Sequence, residues 1–210
     1  SARENARTIR EIIPREAWEQ INALYLFVTE NQKDAFTRRS RYAYLNKIIL
    51  ANQTITGLLA GTMSHDEAYA FVRLGRNLER ADMSTRIIDV RSATLLSEIE
   101  SELPAFSNIQ WMGVLKSMTA YQMYRREVRV RINREDVLAF LLSNPRFPRS
   151  LVHAIEQIER AVTELPNSKD TVGKTSRVKN YLLNAKPATL KQEKLHEFID
   201  DMQLGLIEKD

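Results

Sequence analysis

The chain is 210 residues long, 43% hydrophobic and 28% charged, with six glycines, six prolines and no cysteine. That gives room for one sizeable domain or two small ones with a real core, and it argues against wholesale disorder. Lack of cysteine excludes disulfides, thiolate metal sites and cysteine nucleophiles, and fits a reducing compartment such as the cytoplasm. The net charge of +4 is spread among interspersed carboxylates, unlike the one-sided face of a dedicated duplex binder, so nucleic acid is not the expected partner.

No apolar run approaches the roughly 20 residues that span a bilayer, so no membrane role is expected. The opening residues carry no apolar core of a signal peptide, and the missing initiator Met suggests a start inside a longer reading frame.

Punctuation predicts about eight or nine helices. Residues 2–12 read as the first, stopping before Pro14. The second presents Trp18, Ile21, Leu24, Tyr25 and Val28 on one face. A third, over about 36–59, carries Tyr42, Leu45, Ile49, Asn52 and Ile55 at heptad-like spacing. Ser64-His-Asp-Glu67 reads as a capping box that starts a long central helix reaching about residue 102. Residues 109–128 form the next, with Trp111, Leu115, Met118 and Tyr121 or Gln122 inward. Asn133 caps a short helix over 134–142, and Pro148 opens another over 149–165. Residues 167–174 are the most linker-like, and two final helices follow over about 175–184 and 189–207. No segment alternates like a strand, so the fold class is all-α, an antiparallel multi-helix bundle.

The central helix is the most informative stretch. Phe71, Leu74, Leu78, Ala81, Thr85, Ile88, Ser92, Leu95 and Ile99 recur every three or four residues and form one apolar seam. Leu74, Leu78, Ala81 and Ile88 are expected to be largely buried. Gly75, Glu79, Asp82, Arg86 and Asp89 run in the row beside the seam. One reading makes these a solvated face of helical ion pairs. The other has Glu79 and Asp82 meet arginines from other helices, first Arg3 and Arg7, which flank Glu4 in the same mixture of charges.

Chemistry is sparse. Glu193-Lys-Leu-His196 has the Glu-x-x-His spacing of di-iron sites, but only once, and neither a P-loop nor a Gly-x-Gly-x-x-Gly loop occurs; no metal and no cofactor is expected. Arg125, Arg126 and Arg149 are candidate anion ligands, Arg149 and Ser150 standing at a helix start. The competing reading has these arginines tie loops to helix ends. Basic residues also cluster at Arg38, Arg39 and Arg41 and at Arg129, Arg131 and Arg134.

Residues 74–90, centred on Glu79-Arg80, resemble the bacterial alpha-E family, a helical domain of unassigned activity named for a Glu-Arg motif. Ser1-Ala-Arg-Glu-Asn-Ala-Arg7, Trp111 with Tyr124-Arg125-Arg126, and Leu141-Leu142 followed by Phe147-Pro148-Arg149-Ser150 fit the same family in order. The resemblance implies a single alpha-E-like domain over 1–210. It also implies that an earlier Glu-Arg copy precedes this stretch in a longer protein, of which this is the C-terminal two-thirds.

Through gene context, the resemblance implies association with circularly permuted ATP-grasp proteins that look like peptide or amide ligases. The expected role is then a non-catalytic helical partner or scaffold of an ATP-grasp-type ligase. The alternatives are a substrate-binding or catalytic subunit with an Arg and Glu pocket for an acidic peptide or acyl-phosphate, and a nucleic-acid or regulatory module. Glu79 and Arg80 match the motif, and Arg3, Glu4, Arg7, Arg125 and Arg149 match the other stretches.

Overall fold

The computed structural model of the chain describes residues 2–97, 104–128 and 132–207. Eleven α-helices and one 3-10 turn make up its regular structure, and no strand occurs among the described residues. They are α1 (Ala2–Thr8), α2 (Arg15–Glu30), α3 (Gln32–Phe36), α4 (Arg41–Thr62), α5 (Glu67–Ser97), α6 (Pro104–Ser117), α7 (Tyr121–Val128), α8 (Arg134–Ser143), α9 (Leu151–Thr163), α10 (Lys169–Ala185) and α11 (Gln192–Ile207), with the 3-10 turn Pro187–Thr189 before α11. The all-helical expectation holds, with a slightly higher helix count. The chain divides into two compact units, Ser1–Tyr69 and Ala70–Asp210.

The first unit is a hairpin of α2 against α4, with α1 on α2 and α3 on α4. Phe27 and Tyr44 meet with ring centroids 5.4 Å apart, and the Lys47 ammonium sits 4.2 Å from the Phe27 centroid. Helix α4 carries apolar residues on more than one face, so two stripes compete to face its neighbours. The covered one holds Tyr44, Ile48, Ala51, Ile55 and Leu59. The expected stripe is covered only at Ile55; Tyr42, Leu45, Ile49 and Asn52 are exposed. At the end of the unit, Asp66 Oδ1 accepts from the Tyr69 backbone N–H at 3.2 Å. The cap of α5 is therefore Asp66 and not Ser64, while His65 stacks on Tyr69.

The second unit has the larger core. Trp111, Val114, Leu115 and Met118 of α6, Tyr124 of α7, and Val137, Leu138, Phe140, Leu141 and Leu142 of α8 are buried together. Helices α9 and α11 add faces built on Leu151, Ile155, Leu195 and Ile199. Ala81 and Ile88 of α5 are fully buried in this core, as expected from the seam. Leu74 and Leu78 are only half-buried and Phe71 is exposed, because the seam continues past the packed layer. Ser92 and Leu95, by their side chains, and Ile99, Arg129 and Arg131 lie outside the described residues.

The helix expected over 109–128 is two helices. Thr119 adopts a left-handed conformation with φ 54°. Its N–H bonds the Lys116 carbonyl at 3.0 Å, and the Ala120 N–H bonds that of Leu115 at 2.7 Å. That is a Schellman stop with threonine where glycine usually stands. Asn133 caps α8 as expected, its Oδ1 accepting from the Asp136 N–H at 2.8 Å. Helix α9 is capped by Ser150, which accepts from the His153 N–H at 3.2 Å, so it starts after Pro148. Helix α10 begins at Lys169, inside the stretch that reads as a linker.

Candidate functional site

The Glu-Arg motif faces two ways. On a helix, consecutive residues lie about 100° apart, so Glu79 and Arg80 cannot share an environment. Glu79 is exposed and forms no ion pair among the described residues. The paired member of the motif is the arginine. Arg80 Nη1 donates to Asn77 Oδ1 at 3.2 Å and to the Pro148 carbonyl at 3.4 Å. Burial, together with the nearby Arg76 and Arg149 guanidinium groups, pushes Arg80 below its ordinary value.

The segment that Arg80 grips is the link from α8 to α9, and its geometry follows from its polar residues. Asn144 Oδ1 accepts from the Arg146 and Phe147 N–H groups at 2.8 and 3.2 Å, an Asx turn. Ser150 Oγ donates to the Asn144 carbonyl, and His153 Nδ1 donates to that of Pro145 at 2.8 Å. From α5, Ser84 Oγ donates to the Arg149 carbonyl at 3.0 Å. Arg149 Nη1 in turn reaches the Met118 carbonyl and Thr119 Oγ1 at 3.3 and 3.4 Å, covering the end of α6. Three stretches singled out by sequence thus meet here: Glu79-Arg80, Phe147–Ser150 and the α6 segment that carries Trp111.

A groove of about 570 Å³ opens on this link, lined by Met123, Arg126, Glu127, Phe140, Arg146, Phe147 and Pro148. Its floor is apolar and its rim is charged. Arg146 Nη2 donates to Glu127 Oε1 at 2.7 Å, tying the link to α7. Hydrogen bonds from Asn144 and Arg146 hold the Glu127 carboxyl below the usual carboxylate range. Arg126 is exposed on the same rim and forms no ion pair among the described residues. Behind the lining residue Phe140, Tyr124 is fully buried, edge-on to that ring at 5.6 Å, and burial raises its phenol. An exposed guanidinium over an aromatic floor suits a carboxylate attached to apolar groups.

The other sequence candidates divide. Arg149 ties a helix end, the structural reading of that residue, while Arg125 is exposed. Arg86 is held by Asp82 one turn away, at 2.8 and 3.0 Å, on an exposed face. In the first unit, Arg3 Nε donates to Asn22 Oδ1 at 2.8 Å and Arg7 Nε to Glu4 Oε2 at 3.0 Å. Arg3 and Arg7 thus have partners within α1 and α2. His196 pairs with Asp89 at 2.7 Å, and no group of three candidate metal ligands occurs among the described residues. Asn77, Ser84, Asn144 and Arg146 escaped the sequence reading; only Asn144, a turn former before proline, gave a local signal.

A family model described as Alpha-E, a predicted alpha-helical domain with a conserved ER motif, matches residues 1–209. The chain belongs to the Alpha-E family. No curated protein and no solved structure matches it. In this chain the Glu79-Arg80 pair sets an exposed glutamate beside an arginine anchored on the α8–α9 link. Among the described residues, no helix is long and apolar enough to cross a membrane.

Proposed function

We propose that this Alpha-E domain is a non-catalytic helical partner of an ATP-grasp-type peptide or amide ligase, and that its groove holds an acidic peptide segment. One observation carries the peptide part of this reading: Arg126, exposed and without an ion pair among the described residues, stands over the floor of Phe140, Phe147 and Pro148. A carboxylate on Arg126 with an adjoining apolar group on Phe147 would use both surfaces at once. Glu127 is already held by Arg146 and Asn144, so it orients the rim while Arg126 keeps its donors for the ligand. The ATP-grasp association rests on family resemblance, and the groove supplies a physical role within it.

The test is a ligase assay with an ATP-grasp protein encoded beside such a domain, run with and without this chain, alongside titration of a fluorescent Glu-rich peptide. Arg126→Glu is expected to weaken peptide binding roughly tenfold or more and to abolish stimulation of the ligase. Full stimulation by Arg126→Glu would sink the groove's role. ATP turnover by the purified chain alone would sink the non-catalytic reading.

A further inference from the structure

A second cavity lies wholly within the second unit, between the first half of α5, the end of α9, and α10. Its volume is about 420 Å³, inside the roughly 300–1,000 Å³ range of small-molecule sites. The half-exposed part of the α5 seam forms one wall through Phe71, Leu74 and Leu78. Ile158, Val162 and Val178 continue the apolar lining.

The opposite wall is made of small residues, and this is why the space stays open. Thr171, Thr175 and Gly205 stand where large apolar side chains would have closed the layer. Gly205 is also the one glycine with a close neighbour: a Cβ there would meet Val178 Cγ2 at 3.2 Å. The walls are held together. Arg73 Nη2 of α5 donates to Glu164 Oε1 just past α9 at 2.7 Å, and Gln203 Nε2 of α11 donates to Thr85 Oγ1 of α5 at 3.0 Å.

The lining is polarised. Its polar groups, Asn167, Ser168, Thr171, Lys174 and Thr175, gather at the start of α10, and among the described residues Lys174 is the charged one that lines the cavity. An elongated apolar body therefore fits along α5 and α9, with an anionic end beside Lys174.

We propose that this cavity binds a linear amphipathic carboxylate, an acyl chain lying against Leu74, Leu78 and Val162 with its head group at Lys174. The site is separate from the Arg126 groove and does not depend on the role given to it.

The experiment titrates the whole chain with a dansylated undecanoate below its critical micelle concentration, then competes with dodecanoate, dodecanol and butyrate. Saturable binding is expected, displaced by dodecanoate and not by butyrate. Leu74→Trp fills the cavity from the seam and Thr171→Trp fills it from an exposed position that does not challenge folding. Either is expected to weaken binding at least roughly tenfold with helicity unchanged. Lys174→Glu is expected to weaken dodecanoate up to roughly fivefold and leave dodecanol unchanged. Absence of saturable binding, or wild-type affinity in the folded Thr171→Trp chain, would overturn the proposal. So would an equal effect of Lys174→Glu on acid and alcohol, which would place the head group elsewhere.

Discussion

Arg80 donates to the carbonyl of Pro148, a residue 68 positions further along the chain, and this bond fixes the α8–α9 link on α5. Its neighbour in the motif, Glu79, is exposed. The two residues thus separate into one that holds the fold and one that faces outward.

The separation is measurable. Arg80→Ala is expected to cost about 1–3 kcal/mol in urea titration, since it leaves the Pro148 carbonyl and Asn77 without their donor. Glu79→Gln is expected to stay within about 0.5 kcal/mol of wild type. A loss below half a kilocalorie for Arg80→Ala would remove its anchoring role.

The seam of α5 was legible because burial on a helix follows a 3.6-residue period, and Ala81 and Ile88 obey it. Leu74 and Leu78 obey the same period without the same burial, because local spacing does not say how far the covering layer extends. In α4 the period itself was ambiguous: apolar residues on more than one face offer both a Tyr42 and a Tyr44 stripe, and tertiary packing selects the second. Thr119 gave no stop signal, since a β-branched residue is a poor left-handed cap and is held there by the surrounding bonds. The bond from Arg80 to Pro148 has no local trace at all.

Ile88 and Leu78 provide the corresponding packing test. Ile88 is fully buried, and Ile88→Ala is expected to cost about 2–5 kcal/mol. Leu78 lines an open cavity, so Leu78→Ala is expected to cost less, about 1 kcal/mol, having less area to return to water. Equal losses in denaturant titration would show that the seam is covered along its whole length.

Acid sensitivity is expected to arise between α9 and α10. A hydrogen bond from Lys179, then one from Ser176, holds the Glu159 carboxyl below its ordinary 4.5. With the folded value lowered, the stabilisation is present above 4.5 and is lost as pH falls through the folded value. Glu159→Gln is expected to flatten the acid limb of the stability profile below about pH 4.5. An unchanged acid limb would show that the pair contributes nothing to it.

His196 has the opposite sign. A hydrogen bond and the charge of Asp89, then the charges of Asp200 and Glu197 on its own helix, raise it above 6.5. Its contribution is complete below 6.5 and is lost as pH rises through the higher folded value. NMR titration of the ring is expected to give a midpoint above 6.5 that moves back toward it in Asp89→Asn. A midpoint insensitive to that substitution would show that the pair does not persist in solution.

The α8–α9 link has its turns closed by Asn144, Ser150 and His153 before any ligand arrives. A peptide settling on Phe147 and Pro148 therefore meets a surface already in its bound shape, and pays for its own ordering but not the link's. Encounter, and not rearrangement, then sets the pace of association. Tight and weak ligands of this groove should arrive at similar rates and differ in how long they stay.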